Sequence, residues 1–252
     1  MNQKPKILPQ ISGLLIYLVG AALALALLTL VIWPDIEASS FDSAIRADKQ
    51  LQSLHCPVFL TRDEIGTISI TVDNPSDREV NPTVRARVTK GYRTFVQEFR
   101  QKVVVPAGGS ETISWEVERK DAAYDRSMIL GRFYQMRNYS LPSRTSTCGI
   151  YVLPFSGPSG QQILIGAYIT SLVLMALGLF LQLPKDRKAL RRSNIESSKR
   201  QRARLQAFAY LAALFLAGIL LALIGNWLLS LVLAVLVATS SIGVISYALI
   251  AQ

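Results

Sequence analysis

The sequence predicts a membrane protein in which four transmembrane α-helices carry an extracytoplasmic all-β sandwich, inserted between helices 1 and 2. Three observations predict it. Four apolar runs, 11–33, 162–183, 205–224 and 228–250, hold no Asp, Glu, Lys, Arg or His, and each reaches the roughly 20 residues of helix that a hydrocarbon core requires. Between the first two runs lies a polar stretch in which apolar and polar residues alternate with the period of a β-strand. The surplus positive charge is concentrated between the second and third runs. Half of the 252 residues are hydrophobic and the mean hydropathy is +0.32, a balance foreign to soluble domains of this length.

Residues 1–10 form a short N-terminal segment whose charges are Lys4 and Lys6. The run 11–33 exceeds the 7–15 residues of a signal-peptide core, so the reading is an uncleaved signal anchor. Residues 34–54 follow as a juxtamembrane segment. Within it, 39–54 has a helical look: Ser39 and Asp42 have capping-box spacing, and Phe41, Ile45 and Leu51 share a face.

Residues 55–153 read as strands and turns. Ile68, Ile70 and Val72 alternate with polar neighbours, as do Val84, Ala86 and Val88, and then Ile113, Trp115 and Val117. Asn74-Pro75-Ser76-Asp77 and Pro106-Ala107-Gly108-Gly109-Ser110 punctuate them as turns. Counting also 95–105, 127–134 and 147–153, about seven strands at short spacing predict an antiparallel sandwich. The strings TVDNPSDREV and VPAGGSETISWEV resemble those of bacterial immunoglobulin-like extracytoplasmic modules, in which a strand enters an Asn-Pro turn and a later Pro-x-Gly turn leads into another strand. The resemblance covers residues 55–153 and is one of architecture. It implies a β-sandwich and no ligand.

Cys56 and Cys148, the two cysteines of the chain, fall near the two ends of this module. An even count confined to an oxidising compartment points to one disulfide. Two cysteines with the single His55 make a poor metal set, since structural zinc takes four ligands.

A linker, 154–161, leads to the second span, 162–183. The interval 184–204 then holds Lys185, Arg187, Lys188, Arg191, Arg192, Lys199, Arg200, Arg202 and Arg204 against Asp186 and Glu196, a surplus of +7. Segment 1–10 contributes +2 and 34–161 contributes +1, so nearly all of the +10 net charge is juxtamembrane. Loops that stay cytoplasmic are enriched in Lys and Arg. The interval therefore reads as a basic cytoplasmic loop, with both termini cytoplasmic and 34–161 extracytoplasmic, in the inner membrane of a bacterium. The same nine cations could also meet anionic lipid. Nucleic acid is excluded as a partner, because the surplus is not spread over a folded face.

Residues 225–227, with Gly225-Asn226, make a tight outer turn joining the spans 205–224 and 228–250 into a hairpin. Small residues at close-approach spacing, Gly20 with Ala24, Ala213 with Ala217, Ala234 with Ala238, and Thr239 with Gly243, mark candidate helix-packing sites.

The residues point away from catalysis. The sequence holds no phosphate loop, no nucleophile elbow and no H-E-x-x-H motif. Glu116 and Glu118 read as a solvated face. No cofactor is expected. The functional expectation is a non-enzymatic integral membrane protein whose external sandwich binds or scaffolds a protein partner, as an accessory subunit of a membrane complex. Two alternatives stay open: a transporter or channel component using the polar group Thr239-Ser240-Ser241 with Gly243, and a sensor coupling external binding to the membrane. Partner identity and oligomeric state are not legible.

Overall fold

The computed structural model describes residues 8–43, 47–51, 53–91, 95–138, 141–182, 195–223 and 227–250. The chain divides into two compact units, Leu30–Leu164 and the helical segments before and after it.

Leu30–Leu164 contains two β-sheets. The strands are β1 (Lys49–Gln50), β2 (Leu54–His55), β3 (Phe59–Leu60), β4 (Gly66–Asp73), β5 (Thr83–Lys90), β6 (Phe95–Lys102), β7 (Ser110–Val117), β8 (Met128–Gln135) and β9 (Arg144–Val152). One sheet runs β1-β9-β8-β5-β6, with β3 also on β9, and the other runs β2-β4-β7. The alternation read from the sequence decides the inward faces. Ile68, Ile70 and Val72 of β4 and Ile113, Trp115 and Val117 of β7 share one buried core with Val84, Ala86 and Val88 of β5. Phe133 and Ile150 join it from β8 and β9, and the rings of Trp115 and Phe133 meet at 5.6 Å.

The two turns flagged in the sequence are tied together by a buried side chain. The Asn74 amide nitrogen donates to the carbonyls of Arg78 (2.7 Å) and Pro106 (3.0 Å), and its oxygen accepts from the Ser76 amide. Gly108, at φ +63, turns its N–H onto the Ser76 carbonyl. A non-glycine residue would be strained in that conformation.

Several expectations are corrected. The larger sheet is mixed rather than antiparallel, because β1 and β3 both pair parallel with β9, while the smaller sheet is antiparallel throughout. Segment 39–54 is not a helix of its own. The first helix, α1 (Leu8–Ser40), runs past 33, and 49–50 and 54–55 are strands. The Ser39 hydroxyl donates backward to the Ile36 carbonyl rather than capping a new helix, so hydrogen bonding to the preceding turn wins over the capping-box spacing. The interval 184–204 is not wholly a loop, since α3 (Ile195–Leu223) starts inside it and carries Lys199, Arg200, Arg202 and Arg204. Lys185, Arg187, Lys188, Arg191 and Arg192, and the turn residues Gly225 and Asn226, lie outside the described residues.

The remaining helices are α2 (Gly160–Gln182) and α4 (Trp227–Ile250). Two helical stretches, Ser12–Ser40 and Gly160–Leu181, are long and apolar enough to cross a membrane. Four spans are not supported. Among the described residues the apolar parts of α3 and α4 are Gln206–Leu221 and Leu228–Ser240, short of the roughly 20 residues a crossing needs. The outer faces of α1 and α2 leave Leu15, Val19, Ile165, Ile169, Val173 and Leu177 exposed. An exposed apolar stripe of this kind marks a surface that meets lipid or another protein.

Within the helical unit the helices approach closely at small residues. A Cβ on Gly20 would lie 2.9 Å from the Met175 backbone nitrogen, and one on Gly178 would lie 2.6 Å from that of Tyr17. Hydroxyls bridge these contacts: Ser171 donates to the Gly20 carbonyl at 2.9 Å, Tyr17 to Phe208, and Ser230 to Gly218. Such bonds matter where lipid supplies no hydrophobic drive between helices.

Candidate functional site

The sandwich unit has three built features: a seat for the end of α1, a clasp on the start of α2, and an uncovered edge.

The seat lies on the outer face of the larger sheet. Residues 34–40 of α1 pack against β8 and β9 at Gly149, where a Cβ would fall 2.0 Å from the Pro34 carbonyl oxygen. Only glycine admits the helix there. The Gly149 N–H donates to Asp35 Oδ1 at 3.0 Å. Burial pushes the Asp35 carboxyl up to about 6, against the lowering effect of that bond. Two residues along β8, Arg132 donates to the Ser39 carbonyl at 2.9 Å. Burial lowers its pKa, while Asp42 acts in the opposite sense. Arg87 of β5, directly opposite Arg132 in the ladder, binds Asp42 just past the end of α1.

The clasp uses one carboxylate. Glu64 Oε2 accepts from the N–H of Thr61 (2.9 Å) and from that of Gly160, the first residue of α2 (2.8 Å). Ser159 and Gln162 form a reciprocal capping pair: the Ser159 N–H donates to Gln162 Oε1 and the Gln162 N–H donates to Ser159 Oγ. A carboxylate here also favours the positive end of the helix dipole. Gly160 itself sits against the Phe59 carbonyl, 2.2 Å from where a Cβ would be.

The uncovered edge is β6, which pairs over its full length with β5 and with no other strand among the described residues. Its register divides it cleanly. Phe95, Gln97, Phe99 and Gln101 stand opposite residues at or beside the inner face of β5, and Val96, Glu98, Arg100 and Lys102 stand on the outer face. On the outer face Arg85 and Arg100 are cross-strand partners, and like charges directly opposite repel. Glu98 lies between them and accepts from both, and these bonds, that from Arg100 first, hold its carboxyl down at about 2. On the inner side the smaller sheet ends at β7 and leaves a cleft of about 210 Å³. Val88, Phe99 and Val117 line it, with Ile65 at its mouth and Glu116 and Glu118 on the far side.

Cys56 and Cys148 are joined by a disulfide, with Cα atoms 6.5 Å apart. It ties the chain just after β2 to the centre of β9. Of the packing candidates, Ala24 is buried and Gly20 is at a close approach. Ala213 is exposed, Ala217, Ala234 and Ala238 are half-buried, and Gly218 rather than Ala217 meets α4 through Ser230. Gly243 lies on α4. The Thr239 hydroxyl donates to its own helix at Val235 and Leu236. Among the described residues no group of three or more His, Cys, Asp or Glu side chains is placed to hold a metal ion.

Sequence reasoning did not find Asp35, Glu64, Gly149, Gly160, Gly178 or Arg132. Asp35 directly after a span, and Gly149 inside a strand pattern, were the local signals available. The partners of both lie far off in the chain, so neither signal had an address.

No family model matches this chain, and no curated protein matches it. Similar solved structures include a cycloisomaltooligosaccharide glucanotransferase of Paenibacillus sp. (15% identity, TM-score 0.32, covering 44% of this chain and 15% of that one). A β-glucosidase of Listeria innocua (14% identity, TM-score 0.29) covers 41% of this chain and 16% of its own. A CARDB domain of a Pyrococcus furiosus protein (11% identity, TM-score 0.30) covers 40% of this chain and 84% of its own. The chain thus spans under a fifth of the length of the two enzymes, and none of these likenesses bears on activity.

Proposed function

We propose that this chain is a non-enzymatic integral membrane protein whose extracytoplasmic sandwich, of immunoglobulin-like type, holds a partner protein in a membrane complex. In this reading all four helices cross the bilayer, α3 and α4 by the full apolar runs 205–224 and 228–250 of the sequence, both termini are cytoplasmic, and the basic interval 184–204 sets the orientation.

The observation that supports it is the construction of the Leu30–Leu164 unit. Polar groups, the half-buried Asp35 and buried Arg132 on one helix end and the half-buried Glu64 on the other, bind the ends of α1 and α2 into the sheets. Such groups are costly to bury unless paired. They make residues 34–40 and the start of α2 part of the sandwich unit itself. Ordering the chain ends in this way is costly, and a domain with both ends bound into its sheets suits a role in holding a partner.

The transport alternative loses support, because the Thr239 hydroxyl is spent on its own helix carbonyls. The test is cross-linking in intact cells, extraction in mild detergent and mass spectrometry of what remains bound. A companion protein recovered in defined stoichiometry is the expected result. A chain recovered alone at every cross-linker length would sink the reading.

A further inference from the structure

The geometry points to the edge of β6 as the partner's docking site, and to an extended segment alternating apolar and acidic residues as the occupant. This rests on the scaffold reading above and names its surface and chemistry.

Three properties of β6 converge. Its outer main-chain edge carries N–H and C=O groups that no strand among the described residues takes up, and such an edge is a template for strand addition. Its inner face overhangs the smaller sheet. Phe95, at the start of β6, is 65% exposed, and Ile65, one of the residues lining the cleft, is 63% exposed. An added strand would set every second side chain over this apolar border. Its remaining side chains would lie beside Arg100 and Lys102, with Arg85 behind them and Glu98 as the one carboxylate on that rim. Acidic residues are favoured there. They are disfavoured on the cleft side, where Glu116, Glu118 and Asp121 outnumber Lys120, itself paired with Glu118. Hence the alternation: apolar inward, acidic outward. Charge on an edge strand also discourages self-pairing, but that role does not require the bare Phe95 and Ile65 beside it.

The experiment uses the full chain in nanodiscs and a fluorescent peptide alternating valine with glutamate. Saturable binding is expected, weakened about tenfold when alternate peptide amides are N-methylated or when lysine replaces glutamate. The double variant Arg100→Glu, Lys102→Glu should reverse the preference and bind the lysine peptide, a gain that a misfolded protein cannot produce. Absence of saturable binding, equal binding of the N-methylated peptide, or an unchanged preference in the double variant would each overturn the inference. So would displacement by polyphosphate of both peptides alike, which would mark a general polyanion surface. A dimer locked by Gln97→Cys would overturn it in favour of a second copy of this chain. The two proposals fail separately. If cells carrying the double variant still yield the companion at the wild-type level, the edge is wrong and the scaffold reading stands; if the wild-type chain yields none, the scaffold reading falls.

Discussion

At Asp35 a carboxylate is kept in a place that resists its charge. Its value is raised from 3.8 to about 6, so the folded form holds the proton more tightly than the unfolded chain does. Stability then falls as pH rises from about 4 to about 6 and stays lower above that, by about 3 kcal/mol. Asp35→Asn keeps the Oδ1 acceptor for Gly149 and removes the charge. We expect the variant to melt higher than wild type at pH 8 and to match it near pH 4, measured by thermal denaturation of the full chain in detergent. Equal melting at both pH values would show that the carboxyl is not held by burial. Its neighbour has no such freedom. Gly149→Ala puts a methyl group into the Pro34 carbonyl, an overpacking that should cost about 3 kcal/mol and be visible in the same melt. Neither residue could be singled out from the sequence: Asp35 resembles any charge that follows a span, and Gly149 resembles any strand glycine. The contact between them joins positions 114 apart.

At the scale of elements, the long strands β4 to β9 follow the sequence closely, and the short strands β1 to β3 and the helix ends do not. The alternation in β4, β5 and β7 was legible because one face of each is buried and the other wet. The end of α1 was not, because the apolar run stops at Trp33 while the helix continues to Ser40. What carries it over Pro34 is packing on β8 and β9, which compensates for the hydrogen bond that proline removes. The start of α2 is similar. Its capping residues Ser159 and Gln162 are local, but Glu64 reaches it from 96 positions away. Glu64→Ala leaves the N–H groups of Thr61 and Gly160 without their acceptor and should cost about 2 kcal/mol. Hydrogen exchange at 160–163 should quicken in this variant more than exchange in β4. Uniform quickening would mean that Glu64 supports the whole unit rather than the helix start.

For the whole molecule, the disulfide and the charge distribution set the terms. Cys56 and Cys148 are separated by 92 positions, so the bond removes much of the freedom of the unfolded sandwich, worth about 4.6 kcal/mol in the chain-entropy account. Replacing both by serine should lower the denaturation midpoint of the sandwich accordingly, and an unchanged midpoint would place the stability elsewhere. Orientation has its own test. A cysteine placed at Asp77, on a background free of the native pair, should react with an impermeant reagent from outside intact cells. One placed at Ser198 should react only after permeabilisation. The reverse result would invert the topology on which the extracytoplasmic reading depends.

The sequence by itself determined the apolar runs long enough to cross a membrane, the position of the β-unit between two of them and the pairing partners available to its cysteines. These follow from hydropathy, charge and period, which are properties of neighbouring residues. Tertiary structure alone decided that α1 ends on the sheet, that Glu64 holds the start of α2 and that β6 is left uncovered beside a cleft. Those depend on which distant residues meet and on where one sheet stops short of the other, and no local pattern records either.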